Sequence, residues 1–328
     1  MGCQWTLRAS LPSSCGSGQA HRPSIWPPDV YAGAVPPPAE APIDIALVRA
    51  LLKEQHPDLA ALPLVDAGEG WDNRTFRLNK DLAVRLPRRA ASAPLIEHEQ
   101  RWLPLLAPHL PLPIPSPIRI GRAGCGFPWS WSVTRWLPGE TALVAPPPDE
   151  HAAASTLARF LRALHRPAPH DAPQHPWRGV PLDARDTLLR EPLAAIAGQV
   201  DHVAVIETWE RLRATKPWKR AAVWIHGDLH SGNLLVRDGR LSGVLDFGDV
   251  AAGDPATDLS VGWMLLRGSA RETFRDLTCG AGGWLDGDTW TRARAWALAL
   301  GAAHLANAGA NDRLAPVAAA TVDEAILT

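Results

Sequence analysis

The sequence predicts an α+β fold in two unequal parts: a small β-rich N-terminal unit with one main helix, then a larger, mostly helical unit. Three observations carry this. Short alternating runs crowd residues 64 to 136, helical repeats dominate beyond Pro138, and a strand-loop-hairpin segment at 224–259 interrupts the helices. At 328 residues, the chain has room for one large domain or two small ones.

Composition narrows the class. Apolar residues are 46% and charged residues 20%, enough to bury a core and too mixed for a disordered chain. A net charge of −1 provides no general pull toward nucleic acid or an anionic membrane, so neither partner is expected. There is no apolar run of 18 residues to form a conventional transmembrane helix. Cys3, Cys15, Cys125 and Cys279 are too few and scattered for a disulfide framework or a zinc knuckle, which suits a reducing, cytoplasmic setting. Only four of the 33 basic residues are lysine, beside high Ala and 32 Pro, a pattern of GC-rich coding.

Residues 1–42 read as a disordered tail, with Pro23, Pro27, Pro28 and Pro36 to Pro38 among Ser, Gly and Ala. Met1 to Thr6 fits a myristoylation pattern and Leu11 to Cys15 faintly resembles a lipoprotein cleavage site. No apolar stretch of signal-peptide length precedes Cys15, and the first pattern is short enough to occur by chance, so neither is taken as processing.

Residues 43–137 form the first unit. Ile45, Leu47, Val48, Leu51 and Leu52 recur at helical spacing up to Pro57. Leu64 to Asp66, Arg74 to Leu78 and Leu82 to Leu86 read as strands, joined by a glycine turn and by Asn79-Lys80-Asp81. A helix over about 94–106 carries Glu97, Glu99 and Arg101 on a different face from Leu95, Leu103 and Leu106. Pro111 to Pro117 is a loop, and Trp131 to Trp136 is a strand stopped by Pro138-Gly139.

Residues 138–328 form the second unit. Leu157, Phe160, Leu161 and Leu164 mark a helix ending before Pro167, and Thr291 to Asn307 is a long Ala/Leu-rich one. Between them an apolar strand ends at His226, and a glycine-rich polar loop holds Asp228 and Asn233 five apart. Two apolar runs, Leu234 to Arg237 and Leu241 to Leu245, meet through Asp238-Gly239, a strong hairpin signal. That hairpin returns Asp246 to the loop of Asp228 and Asn233.

Two carboxylates and an amide at one point suit phosphoryl transfer. Magnesium prefers hard oxygen ligands, which Asp246 and Asn233 offer. Asp228 can then accept a hydrogen bond from an attacking hydroxyl. Asp228-x4-Asn233 followed by Asp246-Phe247-Gly248 reproduces the order and spacing of the kinase catalytic and metal loops.

The run His226-Gly227-Asp228-Leu229-His230-Ser231-Gly232-Asn233, with Leu245 to Asp249 and Gly253-Asp254-Pro255-Ala256-x-Asp258-Leu259, resembles the aminoglycoside phosphotransferase family. That family belongs with choline kinases to the protein-kinase-like superfamily, and the resemblance extends from about residue 45 to the C-terminus. It implies a two-lobed kinase-like fold that moves the γ-phosphate of ATP or GTP to a hydroxyl of a small molecule, an aminoglycoside-like antibiotic or a metabolite. Asp228 would be the catalytic residue, and Asn233 and Asp246 would bind Mg2+. Gly68, Gly70 and Asn73 would form the nucleotide loop, with Asn73 where a third glycine would stand. Arg85 would hold the α- and β-phosphates with Glu99 as its partner, Glu97 facing elsewhere. Arg135, Trp136 and Leu137 would be the hinge that meets the purine. Asp254 and Asp258 would brace the loop after Asp-Phe-Gly and cap the next helix. The chain would act as a monomer or weak homodimer.

Two other readings compete. A pseudokinase would bind nucleotide without turnover, against which stand the intact Asp228, Asn233 and Asp246. A metallohydrolase would use His226, Asp228 and His230; a His at position 226 more often orients the loop through backbone contacts. Asp286, Asp288, Asp312, Asp323 and Glu324 could make an acidic acceptor pocket for a polycation. The 15 tryptophans read as core and lobe-interface packing, and Cys125 and Cys279 as ordinary thiols.

Overall fold

The computed structural model describes residues 37–309 and 312–328; the Met1–Thr6 and Leu11–Cys15 patterns and most of the expected tail lie outside the described residues. Helix α1 (Ile45–Gln55) starts where Asp44 accepts the Leu47 N–H at 2.8 Å, and it buries Val48, Leu51 and Leu52. Ahead of it, Glu40 N–H donates to the Arg88 carbonyl (2.8 Å) and Ala41 is buried, so packing begins a few residues earlier than composition indicated.

Strands β1 (Leu64–Glu69), β2 (Asn73–Leu78) and β3 (Leu82–Pro87) form an antiparallel meander. After helix α2 (Ala93–Leu106), β4 (Pro117–Gly121) and β5 (Trp131–Arg135) complete a sheet of order β1-β2-β3-β5-β4. Sequence reading missed β4. It is an edge strand opening on a proline with exposed Ile118 and Ile120, so it lacks the half-buried alternation of β2. The first lobe therefore carries two helices around its sheet. On α2, Glu99 is buried with Ile96, Leu103 and Leu106, contrary to the expected polar face; the burial follows from a partner on β3.

The second lobe begins with β6 (Glu140–Thr141) and helix α3 (Glu150–Leu164), which buries the predicted Leu157, Phe160, Leu161 and Leu164. Helices α4 (Asp186–Ala195) and α5 (His202–Arg213) lead to β7 (Val223–Ile225). The hairpin β8 (Leu234–Arg237) and β9 (Arg240–Val244) pairs with β6, and β10 (Ala251–Gly253) pairs with β7. Its two-residue turn has Asp238 at φ 53° and Gly239 at φ 74°, the left-handed pair that Asp-Gly favours. Helices α6 (Ala256–Leu259), α7 (Val261–Leu265), α8 (Gly268–Cys279), α9 (Gly287–Ala306) and α10 (Ala315–Leu327) complete the lobe. Helix α9 is apolar nearly all round and lies in the core, with Trp296, Leu298 and Leu300 buried. Among the described residues, no helix is long and apolar enough to cross a membrane.

A small separate apolar cluster joins the lobes: Ala67 and Ala83 from the first sheet, Trp136 and Leu137 from the connection, Leu235 and Leu245 from the hairpin. Among the described residues seven tryptophans are buried, with Trp131, Trp209, Trp263 and Trp296 fully so.

Candidate active site

Backbone geometry builds the loop first. Gly227 has φ 89°, and a Cβ there would lie 2.7 Å from the Asp249 carbonyl oxygen, so the residue before Asp228 must be glycine. Asp258, fully buried on α6, accepts the N–H groups of His226 (2.9 Å) and Gly227 (2.9 Å) and faces His165 Nε2 at 3.1 Å. One carboxylate thus ties the catalytic loop to the helical core. Asp258 was expected to cap a helix; it lies inside the first turn instead, and Asp254 accepts the Ala256 N–H (3.0 Å) while ion-pairing with Arg292.

The hairpin then closes the site. Leu245 N–H donates to the Asn233 carbonyl at 2.8 Å, bringing Asp246 beside the catalytic loop. Asp246 itself sits at φ 57°, a left-handed conformation that Asp tolerates better than most residues. Phe247 is buried against the His226 ring, with centroids 4.5 Å apart. Asn233 Nδ2 donates to the Asp228 carbonyl (2.9 Å), which leaves the amide oxygen as its remaining ligand atom.

Three carboxylates crowd this point. Burial pushes the Asp246 carboxyl up, as do Asp228 and Asp249, against the pull of Arg85. Burial also opposes ionisation of Asp228, but Arg178, His230 and His304 outweigh it and hold Asp228 well below the usual carboxylate range. Hard oxygens under mutual repulsion are a donor set that a divalent cation relieves, so Asn233 and Asp246 fit Mg2+.

On the first lobe, Arg85 is buried in β3, ion-paired with Glu99, and lies 3.8 Å from Asp246 Oδ1. Burial pushes the Glu99 carboxyl up to about 7 despite this pairing. Glu97 is exposed and takes the Ser130 hydroxyl at 3.0 Å. Near the end of β1, Gly68 has φ 104° at a shift of register, and in the β1–β2 turn Gly70 N–H donates to the Asn73 carbonyl (2.8 Å). Asn73 is buried at the first position of β2, and Arg88 reaches the Gly70 carbonyl at 3.2 Å. At the expected hinge, Arg135 pairs with Leu82 in the sheet, and Trp136 N–H is spent on the Asp81 carbonyl (2.8 Å), so it is not available to a purine. Leu137 is buried in the inter-lobe cluster.

A cavity of about 530 Å³ opens beside Asp228, Asp246 and Asp249. Its far wall includes Leu300, Ala303 and His304 of α9, with Asp312 and Leu314. Of the acidic candidates only Asp312 lines it: Asp286 caps α9, Asp288 is in that helix's first turn, Asp323 is exposed and Glu324 pairs with Arg271. Trp71 and Trp177 also line the cavity, so not every tryptophan is packing. Sequence reading missed His98, Arg178 and His304, which no local motif marks. Burial pushes His304 down to about 4, with His230 and Arg178 adding to the effect, so its ring is neutral near pH 7.

The hydrolase ligand set is otherwise engaged. His226 Nε2 meets the Leu245 carbonyl at 2.8 Å and its Nδ1 accepts the Asp228 N–H at 3.2 Å. His230 Nδ1 accepts the Gly232 N–H (3.0 Å), and its Nε2 is 3.2 Å from the Asn233 amide. Asp228, His230 and His304 do offer ligand atoms within 4.8 Å of one another, but a metal there would have to displace these contacts and Arg178.

Comparison with known proteins bears on the family and the fold. Residues 64–296 match the model of the phosphotransferase enzyme family APH. Aminoglycoside 3'-phosphotransferases of Escherichia coli and Salmonella typhimurium are each 28% identical over 143 residues, 42% of this chain and 53% of theirs, so the match spans about half the length of those relatives. The GDP complex of aminoglycoside 2'-phosphotransferase-IIIa superposes with a TM-score of 0.62 at 20% identity, covering 87% of this chain and 99% of that one. Macrolide 2'-phosphotransferase MphH from Brachybacterium faecium gives 0.55 at 22% identity, covering 86% and 98%. The fold is the kinase-like fold of these enzymes.

Proposed function

Because the chain belongs to the APH phosphotransferase enzyme family, we propose that it moves the γ-phosphate of ATP or GTP to a hydroxyl of a small molecule. The observation that carries this reading is that Asp228 and Asp246 line one cavity, with Asn233 hydrogen-bonded to the Asp228 carbonyl behind them and the buried Arg85–Glu99 pair reaching Asp246 from the other lobe. The acceptor is of the class that its relatives take: an aminoglycoside, a macrolide or a chemically similar metabolite alcohol. Its other partner is the nucleotide, and it acts as a monomer or weak homodimer in the cytoplasm.

The buried base of Arg85 holds its guanidinium ready for the donor's phosphates, a planar fork suited to their oxygens. The purine would lie at the rim of the inter-lobe cluster that holds Ala67, Ala83, Trp136, Leu137, Leu235 and Leu245, and with Trp136 N–H already spent, Leu137 would supply its backbone contact. Asn233 and Asp246 would hold Mg2+, which supplies charge neutralisation for the phosphate oxygens. Asp228 accepts the hydrogen bond of the acceptor hydroxyl and orients it in line with the γ-phosphorus. As the new O–P bond forms, the bond from phosphorus to the β-phosphate oxygen breaks, and the hydroxyl proton passes to Asp228 and then to solvent. Nucleoside diphosphate leaves with the bond electrons.

The test is binding of Mg·ATP and Mg·GTP by calorimetry, then nucleotide consumption with aminoglycosides, macrolides, amino alcohols and sugars. Tight nucleotide binding with acceptor-dependent consumption is expected. Nucleotide binding without turnover on any acceptor would leave a pseudokinase, and no nucleotide binding would overturn the assignment.

A further inference from the structure

Segment 173–178 belongs to neither catalytic motif, yet one of its side chains reaches both. Arg178 donates from Nη2 to Asp228 Oδ1 (2.8 Å) and from Nε to Asp249 Oδ2 (2.8 Å). The guanidinium therefore bridges the carboxylate of the catalytic loop and the one three residues past Asp246. Its seat is built. Ala252 N–H donates to the Pro173 carbonyl (2.8 Å), Gly179 N–H to Thr257 Oγ1 (3.0 Å) and Asp254 N–H to the Gly179 carbonyl (2.9 Å). His175 Nδ1 takes the N–H groups of Trp177 (3.1 Å) and Arg178 (3.0 Å), while its Nε2 stands 3.3 Å from Asp249 Oδ1.

We propose that Arg178 is a positioning residue for phosphoryl transfer: by holding Asp228 Oδ1 it leaves Oδ2, which has His230 Nε2 at 3.6 Å, as the oxygen that meets the acceptor hydroxyl, and it locks that carboxylate to the metal-side loop. The proposal rests on the phosphotransferase reading given above. Asp228 lines the cavity, and among the described residues its oxygens face, besides Arg178, only the longer contacts of His230 Nε2 (3.6 Å) and His304 Nε2 (4.0 Å), so Arg178 supplies its shortest charged contact. Arg178 thus sets one cation between Asp228 and Asp249, 2.8 Å from an oxygen of each. A lysine keeps the charge but lacks the rigid fork that serves two carboxylates at once.

Arg178→Met, Arg178→Lys and Arg178→Ala test this, with Mg·ATP consumption read against kanamycin, erythromycin and water alone. In Arg178→Met, kcat should fall about 10²-fold, the loss that an ångström of misplacement produces, with Mg·ATP affinity unchanged. Arg178→Lys should recover only part of that. Added guanidinium ion should raise the rate of Arg178→Ala and leave Asp228→Ala unaffected. Wild-type kcat in folded Arg178→Met or Arg178→Lys overturns the proposal, as does an Arg178→Ala rate that guanidinium does not lift. Loss of folding in all three makes Arg178 structural and overturns it too. A wild-type protein that consumes neither ATP nor GTP with any of the aminoglycosides, macrolides, amino alcohols and sugars named above fails the phosphotransferase reading itself, and the proposal with it.

Discussion

Asp258→Asn isolates the tie between catalytic loop and helical core. The native carboxylate is fully buried and receives two backbone N–H groups at 2.9 Å, with His165 Nε2 at 3.1 Å. An amide of the same shape turns one oxygen into a donor that confronts a backbone N–H, and it removes the negative charge from the remaining bonds. Losing one charge-assisted bond costs about 1.5–3 kcal/mol, and the stranded N–H about 1–3 kcal/mol more. A total near 3–5 kcal/mol matches the usual loss when a buried ionic contact is broken from one side. At about 2–4 °C per kcal/mol for domains of 150–250 residues, melting should fall by roughly 6–20 °C. Differential scanning calorimetry of the two proteins measures this, and single-turnover kinetics should show slower transfer at temperatures where the variant is still folded. A melting shift under about 2 °C, small beside that scale, would refute the reasoning, because those N–H groups would then have other partners.

Three other substitutions probe the cleft. Asp228→Asn should lower kcat about 10²–10⁴-fold, the usual share of a positioned proton acceptor, with Mg·ATP affinity by calorimetry largely kept. Arg85→Met removes a buried phosphate-facing cation and should weaken Mg·ATP binding by about 1.5–3 kcal/mol, roughly 10- to 100-fold in Kd; unchanged affinity would take Arg85 out of the donor site. His304 ionises at about 4 in the fold against an ordinary 6.5, so the unfolded chain takes up a proton that the folded one refuses. Stability should therefore fall as pH drops from about 6.5 to 4, by at most about 3 kcal/mol from this group. His304→Asn should flatten that limb in urea titrations at several pH values, and an unaltered limb would assign it to other groups.

Much of the fold was legible because its signals are local. The apolar spacing of α1 and α3, the alternation of β2 and the Asp238-Gly239 turn each constrain a few neighbouring residues, and each is seen where expected. The hairpin also carried long-range information, because a two-residue turn of defined type leaves little freedom over where Asp246 returns. The purely local argument misled at Glu99. Helical amphipathicity assigns a glutamate to the polar face, whereas a buried arginine on another element makes the inward face the stable place for it. β4 escaped for the converse reason, since an exposed edge strand buries too little to impose alternation.

The linear order of residues alone determined how the loops of Asp228, Asn233 and Asp246 meet, since they lie within one short stretch whose spacing is its own geometry. Arg178 on Asp228, His304 at the cavity wall and Asp258 beneath the loop were decided only by tertiary packing. Each comes from a segment distant in the chain, and its position follows from how the core helices and the 173–178 loop pack. That packing is set by summed burial over many side chains, a quantity no short window of sequence contains.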